Sequence, residues 1–84
     1  MNISDWRKNI DALEDDLVEL LNKRASYAIE IGNIKKKEGL PVLDQAREEE
    51  ILDRVSKKTK GPFSSMAIRE IFKKVIEETR KIEE

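Results

Sequence analysis

Eighty-four residues set a single domain near the lower size limit for a chain that folds alone. Charged residues make up 42% of it and aromatics 5%, and it has no Cys and no His; this excludes disulfide staples, a typical zinc site and any Ser-His-Asp, Cys-His or histidine-relay catalysis. Seventeen basic against eighteen acidic residues leave a net charge of −1, no bulk field for nucleic acid, and no apolar run is long enough for a membrane span.

Punctuation by Gly and Pro falls at only two places, Gly39-Leu40-Pro41 and Gly61-Pro62-Phe63. Between them the pattern is helical, so the expected fold is all-α with three helices. Ser4 or Asp5 can cap a first helix running to about Lys37. Its apolar stripe reads Trp6, Ile10, Leu13, Leu17, Leu20, Leu21, Tyr27, Ala28, Ile31 and Ile34, the spacing of one buried face. Asp44 is placed to cap a second helix, Gln45 to Lys58, with Ile51, Leu52 and Val55 inward. Ser64 or Ser65 can cap a third, with Ile68, Ile71, Phe72, Val75, Ile76 and Ile82 inward.

Helix length then bears on assembly. A first helix of about 33 residues spans roughly 50 Å at 1.5 Å per residue. A compact monomer of this size is only about 30 Å across. The first helix must therefore overhang by several turns that still carry apolar residues. A second copy is the simplest cover for Trp6 to Leu17, which makes a homodimer of paired long helices the expected assembly. The missing Cys and the non-signal-like Met1 to Trp6 fit a soluble, cytoplasmic protein.

Several polar residues stand where core residues are expected. Arg24 falls in the column Ile3, Ile10, Leu17, Arg24, Ile31, and Lys35, eleven residues on, projects from the same face. Their Cα atoms lie about 16 Å apart along the helix. Two cations with a small molecule's width between them suit a dianion pocket. The alternative is that Arg24 snorkels outward or pairs with a buried Glu. Arg47 lies one turn before Ile51 on the second helix, with Glu48 beside it. On the third, Thr79 follows Ile76 and Glu83 follows Thr79 by one turn. Taken singly, Thr79 reads as a satisfied helix threonine and Glu83 as a terminal carboxylate. Arg7 is roughly 25 Å from Arg24 along a straight helix. It can join the same small ligand only from a partner chain; otherwise it is a solvated first-turn arginine. The lysine clusters 35–37 and 57–60 fall at helix ends, where cations complement the dipole.

The ordered stretches Arg7-x-x-Ile10-Asp11-x-Leu13, Leu17-x-x-Leu20-Leu21-x-x-Arg24, Ile31-Gly32-x-x-Lys35 and Pro41-Val42-x-Asp44-x-x-Arg47-Glu48 resemble the all-helical chorismate mutase family over nearly the full chain. Gly61-Pro62-Phe63 and Ile71-Phe72-Lys73 look most like versions fused to a DAHP synthase. The resemblance implies an intertwined homodimer of three-helix chains, the whole of residues 1–84 forming one domain with no cofactor and no metal. It implies that the partner's Arg7 and the local Arg24 bind the two carboxylates of chorismate. Lys35 would donate to the ether oxygen, with Glu83 as the second donor. Arg47 would be a further active-site cation, Glu48 and the Asp44 backbone would hold the ring hydroxyl, and Thr79 would contact the ring carboxylate.

The implied reaction agrees with what composition removes. A Claisen rearrangement of chorismate to prephenate moves no proton and needs no nucleophile, so a chain without His or Cys loses nothing. Its rate would come from clamping the reactive conformer and stabilising charge on the ether oxygen. Isochorismate-pyruvate lyase on the same fold, or a non-catalytic regulatory domain that binds chorismate or prephenate, are the alternative functions. A plain coiled-coil scaffold gives no reason for Arg24 and Lys35 to share a face.

Overall fold

The computed structural model describes residues 1–83. Three helices account for the regular structure among them: α1 (Ile3–Glu38), α2 (Gln45–Ser56) and α3 (Ser65–Glu83). The all-helical fold with a very long first helix is as the periodicity predicts.

The caps explain the boundaries. Ser4 and Asp5 do not cap α1; Asn2 does. Its side chain accepts the Asp5 N–H at 2.9 Å, and the Asp5 carboxylate accepts the Asn2 N–H at 3.2 Å. This reciprocal box fixes the start one turn before the apolar stripe begins. At the other end Gly39 takes a left-handed conformation, φ 70°, and the Leu40 N–H returns to the Lys35 carbonyl at 2.8 Å. Asp44 caps α2 as expected, accepting the Arg47 N–H at 3.0 Å. α2 ends at Ser56, two residues short of the expected Lys58. There the Lys58 N–H bonds the Val55 carbonyl in a tighter three-residue turn. Ser64, not Ser65, caps α3 by accepting the Ala67 N–H at 3.0 Å.

α3 packs against both other helices. It runs parallel to the second half of α1, since Thr79 meets Arg24 and Glu83 meets Gly32. It runs antiparallel to α2, since Arg80 meets Glu48 while Arg69 meets Glu49 and Asp53. The Asp53 and Glu49 carboxylates hold the Arg69 guanidinium above its ordinary pKa. The core is small: Ile51, Leu52 and Ile76 are buried, with Val55 and Phe72 packed on them. Ile71 and Ile82, expected inward, are exposed in the single chain and face a groove that also takes in Leu21 and Ala25.

Little of the α1 stripe finds cover within the chain. Every residue from Trp6 to Lys23 is exposed; Leu13 is 67% and Leu20 62% accessible. Further along, Tyr27, Ile31 and Ile34 are exposed too, and of the predicted stripe only Ala28 is half-buried. The reason is geometric. Of the other two helices only α3 packs on α1, along the second half of a rod whose long axis gives the chain a 55 Å extent.

Because so few side chains form the core, each carries a large share. Ile76→Ala should lower unfolding stability by about 2–5 kcal/mol, read from urea melts followed by helical circular dichroism. A loss under about 1 kcal/mol would mean that this core does not hold α3 in place.

Candidate active site

A cleft of about 330 Å³ opens where the three helices meet. Its walls include Arg24, Lys35, Asp44, Arg47, Glu48, Thr79 and Glu83, seven of the eight residues singled out from sequence. Arg7 is the exception. It lies exposed near the start of α1, among the turns that no other part of the chain covers.

α1 supplies the two cations. Arg24 and Lys35 are both half-buried on its one covered side. Arg24 Nη1 donates to Thr79 Oγ1 at 3.2 Å, and that hydroxyl donates to the Val75 carbonyl at 2.6 Å. Thr79 is thus a satisfied helix threonine that also orients the guanidinium. Lys35 Nζ donates to the Val42 carbonyl at 3.0 Å, which draws it toward the connection before α2. Both partners are neutral oxygens. Among the described residues, no carboxylate pairs with either cation.

α2 enters the cleft by its first turns. The Asp44 side chain is committed to the helix cap. Arg47 lines the cleft, but its guanidinium turns along the helix to Glu50 in a solvent-exposed pair. Glu48 is held from α3: Arg80 Nη2 donates to its two oxygens at 2.7 and 2.8 Å, and Arg80 Nε to Oε2 at 3.2 Å.

Arg80 is the charged lining residue that the sequence reading passed over. It stands one turn after Ile76, the position next to Thr79 on the same inward side, and that spacing was the available signal. Val42 contributes a backbone carbonyl, which no side-chain pattern announces. Tyr27, read as a core residue, instead lines the cleft while largely exposed.

Gly32 is the buried residue on which the end of α3 packs. A Cβ built there would stand 3.4 Å from the Glu83 carbonyl oxygen and 3.5 Å from its Cβ. α3 thus lies close on α1 at this turn, and Glu83 joins Lys35 in the lining.

Among the charged lining groups, Glu48 is matched by Arg80 and Arg47 by Glu50. The Asp44 carboxylate is taken up by the helix cap, and Glu83 lines the cleft without an ion-pair partner among the described residues. Arg24 and Lys35, at roughly 16 Å along α1, are cations held by neutral oxygens in a partly shielded space. Such a site favours an anionic ligand with two separated acidic groups. Among the described residues no cluster has the makings of a metal site, and no helix is long and apolar enough to cross a membrane.

Comparison with known proteins gives consistent results. The family model for chorismate mutase type II matches residues 6–84. A bifunctional chorismate mutase/prephenate dehydratase of Aquifex aeolicus is 35% identical over 78 residues, covering 88% of this chain and 22% of that protein. The chain therefore spans about a fifth of this relative's length. The structure of chorismate mutase (form II) from Thermus thermophilus superposes with a TM-score of 0.94 at 33% identity, covering 96% of this chain and 92% of that one. The chorismate mutase of Helicobacter pylori in complex with prephenate gives 0.88 at 31% identity, covering 96% and 88%. With nearly all of its length matched by the family model and by these structures, the chain belongs to the chorismate mutase type II family.

Proposed function

We propose that this chain is a chorismate mutase, rearranging chorismate to prephenate in aromatic amino-acid biosynthesis. The observation that carries the reading is the pair of cations, Arg24 and Lys35, each held by a neutral oxygen on one side of a three-helix cleft. Membership of the family supports it, as does a similar fold that holds prephenate in the Helicobacter pylori protein.

In this reading Arg24 takes one substrate carboxylate, and the partner's Arg7 takes the other. Lys35 and Glu83 donate hydrogen bonds to the ether oxygen as the C–O bond breaks and negative charge gathers there. Both face a site whose donors are fixed before the reaction, so little reorganisation is needed as charge develops. Arg47 adds positive potential once it leaves Glu50. Glu48 accepts from the ring hydroxyl and the Asp44 backbone helps to hold that group, while Thr79 holds Arg24 toward the ring carboxylate. No cofactor takes part; residues 1–84 act as one domain, and the protein works in the cytoplasm.

The assembly in this proposal is an intertwined homodimer. The exposed apolar column of α1, from Trp6 through Leu20, supports it, because such a surface is large for a monomer to leave in water. A second copy running antiparallel along α1 would cover that column and carry its Arg7 to the cleft. Association with a second enzyme of aromatic biosynthesis belongs to the same proposal. Sequence resemblance points to DAHP synthase, and the Aquifex aeolicus relative joins its mutase to prephenate dehydratase.

Chorismate disappearance matched by prephenate appearance is the direct test. Consumption of isochorismate instead would make the protein a lyase, and binding without turnover would make it a regulatory module. Within that assay, Lys35→Ala should cost about 3–4 kcal/mol, or 10²–10³ in kcat, by analogy with loss of one oxyanion donor. The fold should survive, since the ammonium holds only the Val42 carbonyl. Near-normal turnover would remove Lys35 from the mechanism.

Glu83 can donate to the ether oxygen only as the neutral acid; as a carboxylate it would repel the charge growing there. Glu83→Gln, which keeps a neutral donor of the same reach, should therefore retain turnover, whereas Glu83→Ala should lower kcat by about 10²–10³, the scale of one lost oxyanion donor. Equal turnover in Glu83→Ala and wild type would contradict the assignment.

A shared site predicts complementation. Arg7→Ala chains and Lys35→Ala chains, unfolded together and refolded as a mixture, should regain roughly a quarter of wild-type activity. Half the dimers are then mixed, and in each of these one site receives neither defect. Each mutant refolded separately should stay nearly inactive. A mixture that shows only the parental average would rule out a partner's Arg7 at the site.

A further inference from the structure

Two arginines of α3 bridge to α2, and they differ in what lies beside them. Arg69 joins Glu49 and Asp53 on the outside of the helix pair, where both carboxylates are about 60% exposed. Arg80 joins Glu48 on the cleft wall. There the side chains are 35% and 25% exposed, and three N–H···O contacts occupy both carboxylate oxygens. This fork grips the plane of the Glu48 carboxylate, which a single-point contact would leave free to rotate.

We propose that Arg80 is a positioning residue for the mutase reaction, fixing the Glu48 carboxylate in the orientation that accepts the ring hydroxyl of the substrate. The inference rests on the functional reading above. Two features of the cleft point to this role and away from Arg80 as a third carboxylate binder. Its guanidinium is already matched by a full negative charge, whereas Arg24 and Lys35 have only neutral partners. A substrate carboxylate would therefore have to displace Glu48 to reach it, and would leave Glu48 unpaired among the remaining lining. The second feature is geometric. A carboxylate oxygen carries lone pairs in two directions, so Glu48 can keep the fork and still accept a hydroxyl from the cleft side.

The pair also spans 32 residues of sequence between the start of α2 and the end of α3. A merely structural clamp would do the same, and the Arg69 bridge supplies the comparison. Both arginines tie the same two helices, but only Arg80 lines the cleft.

The test is a kinetic double-mutant cycle on the full chain with chorismate, using wild type, Arg80→Met, Glu48→Gln and the double variant, with Arg69→Met as the control. Arg80→Met should raise KM about tenfold, the scale of one charge-assisted contact, with a smaller change in kcat. The double variant should be no worse than Glu48→Gln alone, because Arg80 acts only through Glu48. Arg80→Lys should recover part of the loss, since one ammonium cannot grip both oxygens. Arg69→Met should lower the melting temperature and leave KM unchanged. Losses that add in the double variant would mean that Arg80 meets the substrate itself, and would overturn the proposal. An Arg80→Met protein with a lowered melting temperature and a wild-type KM would make Arg80 a clamp only, and would overturn it as well. In either case wild-type turnover leaves the mutase reading standing, whereas a wild-type protein that turns over no chorismate sinks that reading and this one with it.

Discussion

The length of α1 governs the rest of the molecule. α2 and α3 together are shorter than α1, so they cannot cover it however they fold back. Only one side of its second half is enclosed, and that is where Arg24, Ala28, Gly32 and Lys35 become shielded. Everything chemically notable in the chain follows from this partial enclosure. The covered side turns two cations toward a cleft, and the uncovered half leaves an apolar column in need of a neighbour. One rod thus serves two surfaces, and its uninterrupted run of hydrogen bonds holds them at a fixed spacing.

Within the cleft, pairing decides which charges stay available. A buried or half-buried ion pair contributes little net stability, because desolvation offsets much of the attraction. Its consequence here is selectivity of charge. Glu48 and Arg80 neutralise each other, Arg47 turns to Glu50, and Asp44 spends its carboxylate on the helix cap. Arg24 and Lys35 are each steadied by a neutral oxygen that does not quench its charge, with Glu83 beside Lys35 in the lining. These two cations are available to a ligand without an ion pair having to break first.

Much of this is legible in the sequence alone. The two Gly/Pro interruptions divide the chain into the observed helices, and Asp44 and Ser64 cap where their side chains predict. Arg24 and Lys35 could be placed on one face because the helix repeat is regular and the helix unbroken. The errors fall where local alternatives compete. Asn2 won the first cap because Asp5 could reciprocate from three residues on, a pairing that a search for Ser or Asp alone overlooks. Ile71 and Ile82 belong to the apolar period of α3 but lie to one side of the small core, on the groove that faces α1. Periodicity identifies an apolar face without saying which neighbour covers it. Arg80 was passed over because Thr79 and Arg80 both continue the inward side of α3, at three and four residues from Ile76. The bidentate contact that distinguishes Arg80 depends on Glu48, 32 positions away.

The placement of Gly32 has a further consequence. A glycine in the middle of a helix costs about 1 kcal/mol relative to alanine, yet this one occupies the buried turn where α3 reaches its end. The space above it would admit a methyl at ordinary contact distance from the Glu83 backbone. The last turn of α3 therefore lies about one methyl group's width from the backbone of the opposite helix. The fit between Glu83 and the cleft is set at a point far in sequence from Glu83. A side chain's reach into the cleft is thus a measure of how closely two backbones approach beside it.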